Sequence, residues 1–226
     1  MSKVDHTPTR DVRIPAGDSE LFGTLAVPDA AIGLVLFAHG SGSSRHSPRN
    51  AFVARVLRQA RVGTLLFDLL TPFEEQRDVI TREHRFDIDL LARRLEGATR
   101  WVRTQAGLAD ISLGYFGAST GSAAALVAAA ELGAGVAAVV SRGGRPDLAG
   151  ESSLARVTAA TLLIVGSEDD VVIELNEQAY ARLRTRKELA IVPGASHLFE
   201  EPGTLEHAAS LAARWFTLHL VAEHAS

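Results

Sequence analysis

The sequence predicts an α/β fold, a mainly parallel β-sheet covered by helices on both faces. Two observations carry that expectation. Short apolar runs rich in Val, Leu and Ile recur along the chain, each closed by Gly, Ser, Asp or Pro, as buried strands are. Most of them alternate with stretches of helical periodicity, and that alternation builds parallel strands joined by crossover helices.

Taken in order, strands are expected at about 11–15, 21–27, 33–38, 62–67, 111–116, 136–140, 161–165 and 188–192, the first two as an antiparallel lead-in. Helices are expected at about 48–61, 86–105, 120–132, 171–183 and 202–220. In the second helix Phe86, Leu90, Leu91, Leu95, Ala98, Trp101 and Val102 fall at three- and four-residue steps. They mark a buried stripe, with Arg93, Arg94 and Glu96 outside it. The stretch 68–85 reads as a long loop that could partly cover a site. No internal repeat, low-complexity tract or separating linker interrupts the pattern, so one domain over 1–226 is expected.

Composition narrows the function classes. The chain of 226 residues is 46% hydrophobic and 22% charged, which suits a sizeable core. Its formal charge of −4 lacks the clustered basic excess that nucleic-acid binding requires. The absence of cysteine removes disulfides, thiolate metal sites and a thiol nucleophile. The N-terminal segment 1–10 is polar, and the apolar runs 34–38 and 123–130 fall short of the roughly 20 residues a membrane span needs. A cytoplasmic protein without membrane or nucleic-acid partners is the expectation, with room for a homodimer.

The sharpest local signal is Gly117-Ala118-Ser119-Thr120-Gly121. It fits GxSxG where an apolar strand gives way to an Ala-rich helix, a turn that lifts the serine hydroxyl above the sheet edge. A hydroxyl is a weak nucleophile, so it requires an imidazole to take its proton and a carboxylate to orient that imidazole. The next strands supply both in the order Ser, acid, His. The seventh ends in Gly166-Ser167-Glu168-Asp169-Asp170 and the eighth in Pro193-Gly194-Ala195-Ser196-His197. Parallel strands deliver their following loops to one edge, which would assemble Ser119, Asp169 and His197. Asp169 is preferred to Glu168 and Asp170 as the first Asp of the Gly-x-x-Asp-x-x-Val run 166–172. The turn His39-Gly40-Ser41-Gly42-Ser43-Ser44 after the third strand is where a second oxyanion donor is expected. The backbone N–H groups of Ser41 and Thr120 are the candidates, and His39 reads as a structural residue at a strand end.

With these residues in view, the chain resembles the dienelactone-hydrolase-like branch of the α/β-hydrolases through nearly its whole length. The resemblance rests on the 39–42 turn, the 117–121 elbow, the 166–172 acid loop, and the 193–197 loop running into Leu198-Phe199-Glu200-Glu201. Asp68-Leu69-Leu70-Thr71 and Ser141-Arg142-Gly143-Gly144-Arg145-Pro146 also look like segments of this branch. It implies an eight-stranded, mostly parallel sheet and cofactor-free hydrolysis through an acyl-enzyme. Dienelactone hydrolases proper carry a cysteine nucleophile, whereas this chain has Ser119.

Only residues 141–160 are available after the sixth strand, too few for a lid domain, so small carboxylic esters, lactones or thioesters are the expected substrates. Arg45, Arg49, Arg82, Arg85, Arg142 and Arg145 lie in or near loops that could reach the site. Of these, Arg45, Arg85, Arg142 and Arg145 are the candidate substrate-binding residues, for an anionic group. The alternatives are a hydrolase-fold binding protein without catalysis and a dinucleotide-binding domain around Gly40-Ser41-Gly42-Ser43-Ser44-Arg45. Arg45 stands where the latter needs a third glycine, and Asp68 lies later than the usual spacing of about 20 residues. No HExxH-type spacing of histidines points to a metal.

Overall fold

A computed structural model describes residues 5–221, so the first four residues of the polar N-terminal segment and the last five of the chain lie outside the described residues. One eight-stranded sheet runs through it in the order β1-β2-β4-β3-β5-β6-β7-β8. The strands are β1 (Thr9–Ala16), β2 (Ser19–Ala26), β3 (Gly33–Ala38), β4 (Val62–Phe67), β5 (Leu113–Ala118), β6 (Ala138–Arg142), β7 (Ala160–Gly166) and β8 (Lys187–Val192). β1 and β2 form an antiparallel hairpin, β2 meets β4 antiparallel, and every other pairing is parallel. The sheet is therefore eight-stranded and mostly parallel, as the sequence predicts.

The helices are α1 (Pro48–Gln59), α2 (Pro72–Thr81), α3 (Ile88–Arg103), α4 (Thr120–Leu132), α5 (Gly150–Arg156), α6 (Asp170–Arg182) and α7 (Thr204–His219). α1 and α7 pack together on one face of the sheet, and α3, α4, α5 and α6 line the other. Strands β3 to β7 are buried at every position because both faces are covered, whereas β1 and β2 bury alternate residues. The rings of Phe37 on β3 and Phe116 on β5, paired in register, pack with centroids 4.9 Å apart. α4 sits at the middle of its layer, and its alanines let it lie close against the sheet.

Four differences from the sequence-based expectations have local causes. Strands expected at 111–116 and 136–140 each begin two residues later, at Leu113 and Ala138. Ile111 is held in the preceding turn, where its carbonyl accepts from Arg103 at 2.6 Å, and Val136 closes a 3-10 turn. Inside the expected loop 68–85 lies α2, whose start is fixed by a reciprocal cap. Thr71 Oγ1 accepts from the Glu74 amide at 3.3 Å, while Glu74 accepts from the Thr71 amide at 2.8 Å, with Pro72 at the first helical position. Asp87 caps α3, so Phe86 lies before the helix and is 58% exposed instead of joining the stripe. Arg94, expected outside, is largely covered and donates to Glu74 and to the carbonyl of Ala16. No helix among the described residues is long and apolar enough to cross a membrane.

Candidate active site

Sheet register brings the chemistry-bearing loops together. Ala38 pairs with Gly117, Ala118 with Arg142, and Gly166 with Val192, so the turns after β3, β5, β6, β7 and β8 leave one edge side by side. Ser119 stands between β5 and α4 with φ 51° and ψ −124°, a conformation that L-residues rarely adopt. Gly133, at the other end of the same helix, has nearly the same angles. The elbow is pinned from both sides, because the Ser119 amide donates to the Arg142 carbonyl and the Arg145 amide donates to the Ser119 carbonyl at 3.1 Å.

The glycines flanking the serine are required by close approach. A Cβ at Gly121 would lie 2.1 Å from the Ala38 carbonyl oxygen, and one at Gly117 would lie 2.5 Å from the Ser122 Cα. Both obstacles are backbone, so no side-chain movement could relieve them.

Asp169 Oδ2 accepts the Nδ1–H of His197 at 2.6 Å. A carboxylate can only accept, so the proton sits on Nδ1 and the lone pair on Nε2. The other acids of the loop point elsewhere: Glu168 accepts from Ser167 Oγ, and Asp170 opens α6 exposed to solvent. Ser119 and His197 line one cavity of about 200 Å³ together with Gly40, Ser41, Arg49 and Arg142. A wider groove of about 510 Å³, bounded by Pro15, Arg93 and Trp101, contains none of them.

The two candidate oxyanion donors are tied to one another. The Ser41 N–H donates to Thr120 Oγ1 at 3.0 Å, while Thr120 opens α4 with an N–H that the helix itself cannot use. His39 is enclosed behind this turn. Its Nε2 accepts the Leu69 N–H at 3.0 Å, which leaves the proton on Nδ1 to reach the Gly40 carbonyl at 3.0 Å. Burial holds the imidazole below the ordinary histidine value, against the backbone contact with Gly40 and the charges of Asp68 and Glu75.

The four candidate substrate arginines have different surroundings. Arg45 pairs with Asp68, and Arg145 makes a two-pronged pair with Asp147 at 2.8 and 2.7 Å. Arg85 donates Nε to the buried Asp78 at 2.6 Å and Nη2 to the Asp78 carbonyl. Burial raises the Asp78 carboxyl, but the Arg85 side chain and the amides of Arg85 and His84 outweigh it and hold it below the usual range. Arg142 alone of the four lines the cavity, and no carboxylate among the described residues pairs with it. It is 7% exposed, its guanidinium lies over the Phe199 ring, and its Nε and Nη1 have no hydrogen-bond partner among the described residues. Burial, then the charge of Arg49, lowers its pKa to about 10, so it stays protonated at neutral pH. Arg49, which the site also recruits, donates to Glu200 at 3.1 Å on the rim. No cluster of His, Cys, Asp or Glu suited to a metal occurs among the described residues.

No protein-family model matches the chain. It is 58% identical over 215 residues to a Mycobacterium tuberculosis protein provisionally named a phosphoribosyl transferase. That match takes in 94% of this chain and 47% of the other, so the chain spans about half the length of the curated relatives it matches. Among solved structures it is similar to a dienelactone hydrolase from Anabaena variabilis at 56% identity and TM-score 0.93, covering 95% of this chain and 99% of that one. The esterase Est1E from Butyrivibrio proteoclasticus shares the fold at 15% identity and TM-score 0.77, over 94% of this chain and 99% of that one. The strand order and a match over 95% of the chain at 56% identity agree: the chain belongs to the dienelactone hydrolase family of the α/β-hydrolases.

Proposed function

We propose that this protein is a serine hydrolase of small carboxylic esters, lactones or thioesters. The observation that carries the reading is the convergence of the Ser119 elbow and the Asp169–His197 pair on one cavity. In the proposed reaction His197 Nε2 takes the proton of Ser119 as its oxygen bonds to the substrate carbonyl carbon. Asp169 stabilises the resulting imidazolium. Collapse of the tetrahedral intermediate breaks the ester bond, and His197 returns the proton to the leaving alcohol. Water, deprotonated by His197, then attacks the acyl-enzyme and releases the acid, restoring Ser119.

The Thr120 N–H is the first oxyanion donor, placed at the positive end of α4. The Ser41 N–H becomes the second when the Thr120 hydroxyl yields it to the forming oxyanion, each such donor being worth about 3–4 kcal/mol. The cavity falls below the roughly 300–1,000 Å³ of clefts for drug-sized ligands. Short acyl groups fit it better than long lipids do.

Intact-mass analysis after treatment with a small fluorophosphonate tests the reading. A single adduct on the wild type, absent in Ser119→Ala, with hydrolysis of short 4-nitrophenyl esters is the expected result. Folded wild type that takes no adduct and turns over no ester would leave a binding protein on a hydrolase fold. The transferase name belongs to relatives about twice as long. We expect no release of pyrophosphate when this chain is incubated with phosphoribosyl pyrophosphate.

A further inference from the structure

We propose that the cavity beside Ser119 is built to hold a phosphate group, so that the substrate is a small ester carrying a phosphate monoester or phosphonate. The inference rests on the hydrolase reading for its substrate, and on the charge left open in the cavity for its chemistry.

Arg142 is the central observation. A buried guanidinium normally has carboxylate or carbonyl partners for its N–H groups, because leaving a buried charge unpaired is expensive. Here one face is covered by Phe199, and Nε and Nη1 are sealed from solvent with no acceptor among the described residues, so Nη2 is the group left to meet a ligand in the cavity that Arg142 lines. Arg45, Arg85 and Arg145 show how the same chain treats structural arginines, each against an aspartate. Arg142 is treated differently where it reaches the edge of the sheet next to the nucleophile.

The second observation is the start of α1, which lines the same cavity. Ser47 caps this helix of 12 residues, and Ser47, Arg49 and Asn50 line the cavity with Ser41 and Ser43. A helix N-terminus favours anions through its partial positive charge and free N–H groups; here Pro48 has no N–H and the Asn50 N–H is taken by Ser47 Oγ, which leaves that of Arg49. Asn50 is buried, its Oδ1 sealed and without a partner among the described residues. Arg49 adds a second cation, paired among the described residues with the exposed Glu200 on the rim.

The donor set decides between anions. A carboxylate offers two oxygens in one plane, whereas the lining of this cavity brings together two arginines, Arg49 and Arg142, and three serines, Ser41, Ser43 and Ser47. A phosphate, with three terminal oxygens spread over a pyramid and up to two charges, uses donors from several directions. The like charges of Arg49 and Arg142 also repel one another, and a dianion compensates both.

Three 4-nitrophenyl esters of similar acyl length test the proposal: 3-phosphonopropionate, hydrogen succinate and butyrate. The expected order of kcat/KM is phosphonate, then carboxylate, then neutral. In Arg142→Gln the phosphonate-to-butyrate ratio should fall about 10- to 100-fold, the range for a charged hydrogen-bond partner. Arg49→Gln should lower it less, since Arg49 is the more exposed. Ratios unchanged in both variants would overturn the proposal, and succinate outpacing the phosphonate would overturn the phosphate assignment. Calorimetric titration of Ser119→Ala with 3-phosphonopropionate separates this inference from the hydrolase reading. Binding weakened about 10- to 100-fold by adding Arg142→Gln supports the subsite even if no ester is cleaved. Equal affinity in the two proteins would sink it even if esters are cleaved.

Discussion

Replacing Ser119 by glycine should stabilise the fold while abolishing covalent labelling. The backbone there has φ 51° and ψ −124°, and strain at such a non-glycine residue costs about 1–3 kcal/mol. Gly133 takes nearly the same angles without a Cβ, so glycine suits this conformation in the same chain. Against the relief stands the greater freedom of an unfolded glycine, about 0.5–1 kcal/mol. Mid-range values leave a net gain of about 1 kcal/mol. Ser119→Ala is the control, because it removes the same hydroxyl and keeps the Cβ that causes the strain. For a domain of this size each kcal/mol moves Tm by about 2–4 °C. Thermal unfolding should therefore place Ser119→Gly about 2–4 °C above Ser119→Ala, and urea unfolding about 1 kcal/mol above it. Equal or lower stability would mean that the elbow stores no strain, and the reasoning from its backbone angles would be wrong.

Further outcomes follow from the same geometry. Gly121→Ala should cost several kcal/mol or prevent folding, since its Cβ would sit 2.1 Å from the Ala38 carbonyl oxygen; wild-type stability by urea denaturation would refute the close approach. Asp78→Asn should cost about 3–5 kcal/mol by stranding Arg85, and chemical unfolding at neutral pH reads it. Because the Asp78 carboxyl is held below the ordinary range, its stabilisation is complete above that range and is lost as pH falls through it, so the difference between wild type and variant should shrink in acid. His39 is kept neutral by burial, and the unfolded chain takes up that proton first. Wild-type stability should decline as pH falls below about 6.5, and His39→Gln should be flatter from there to about pH 5 in thermal unfolding. Thr120→Val should lower stability by about 1 kcal/mol while freeing the Ser41 N–H, with kcat on short esters kept or raised. A large fall in kcat would give the hydroxyl another role.

Residue type and order alone establish the layering of the fold and the chemistry available at the sheet edge. Strand–helix alternation requires a parallel sheet, and a parallel sheet returns every following loop to one edge, so a site that gathers Ser119, Asp169 and His197 can be proposed without coordinates. The start of α2 is legible too, since Thr71-Pro72-Phe73-Glu74 carries both halves of a capping box. The expectation of a loop over 68–85 gives the length of the segment more weight than that signal. Tertiary contacts settle which charged and polar groups are already satisfied. A loop arginine looks the same in sequence whether an aspartate faces it or not, and pairings such as Arg45 with Asp68 join residues on different elements. The bond between the Ser41 amide and Thr120, and the Arg142 Nε and Nη1 without a partner among the described residues, likewise arise from strand register. Periodicity records which side of an element is buried. It cannot record which neighbour is found there, because that depends on contacts between residues far apart in the chain.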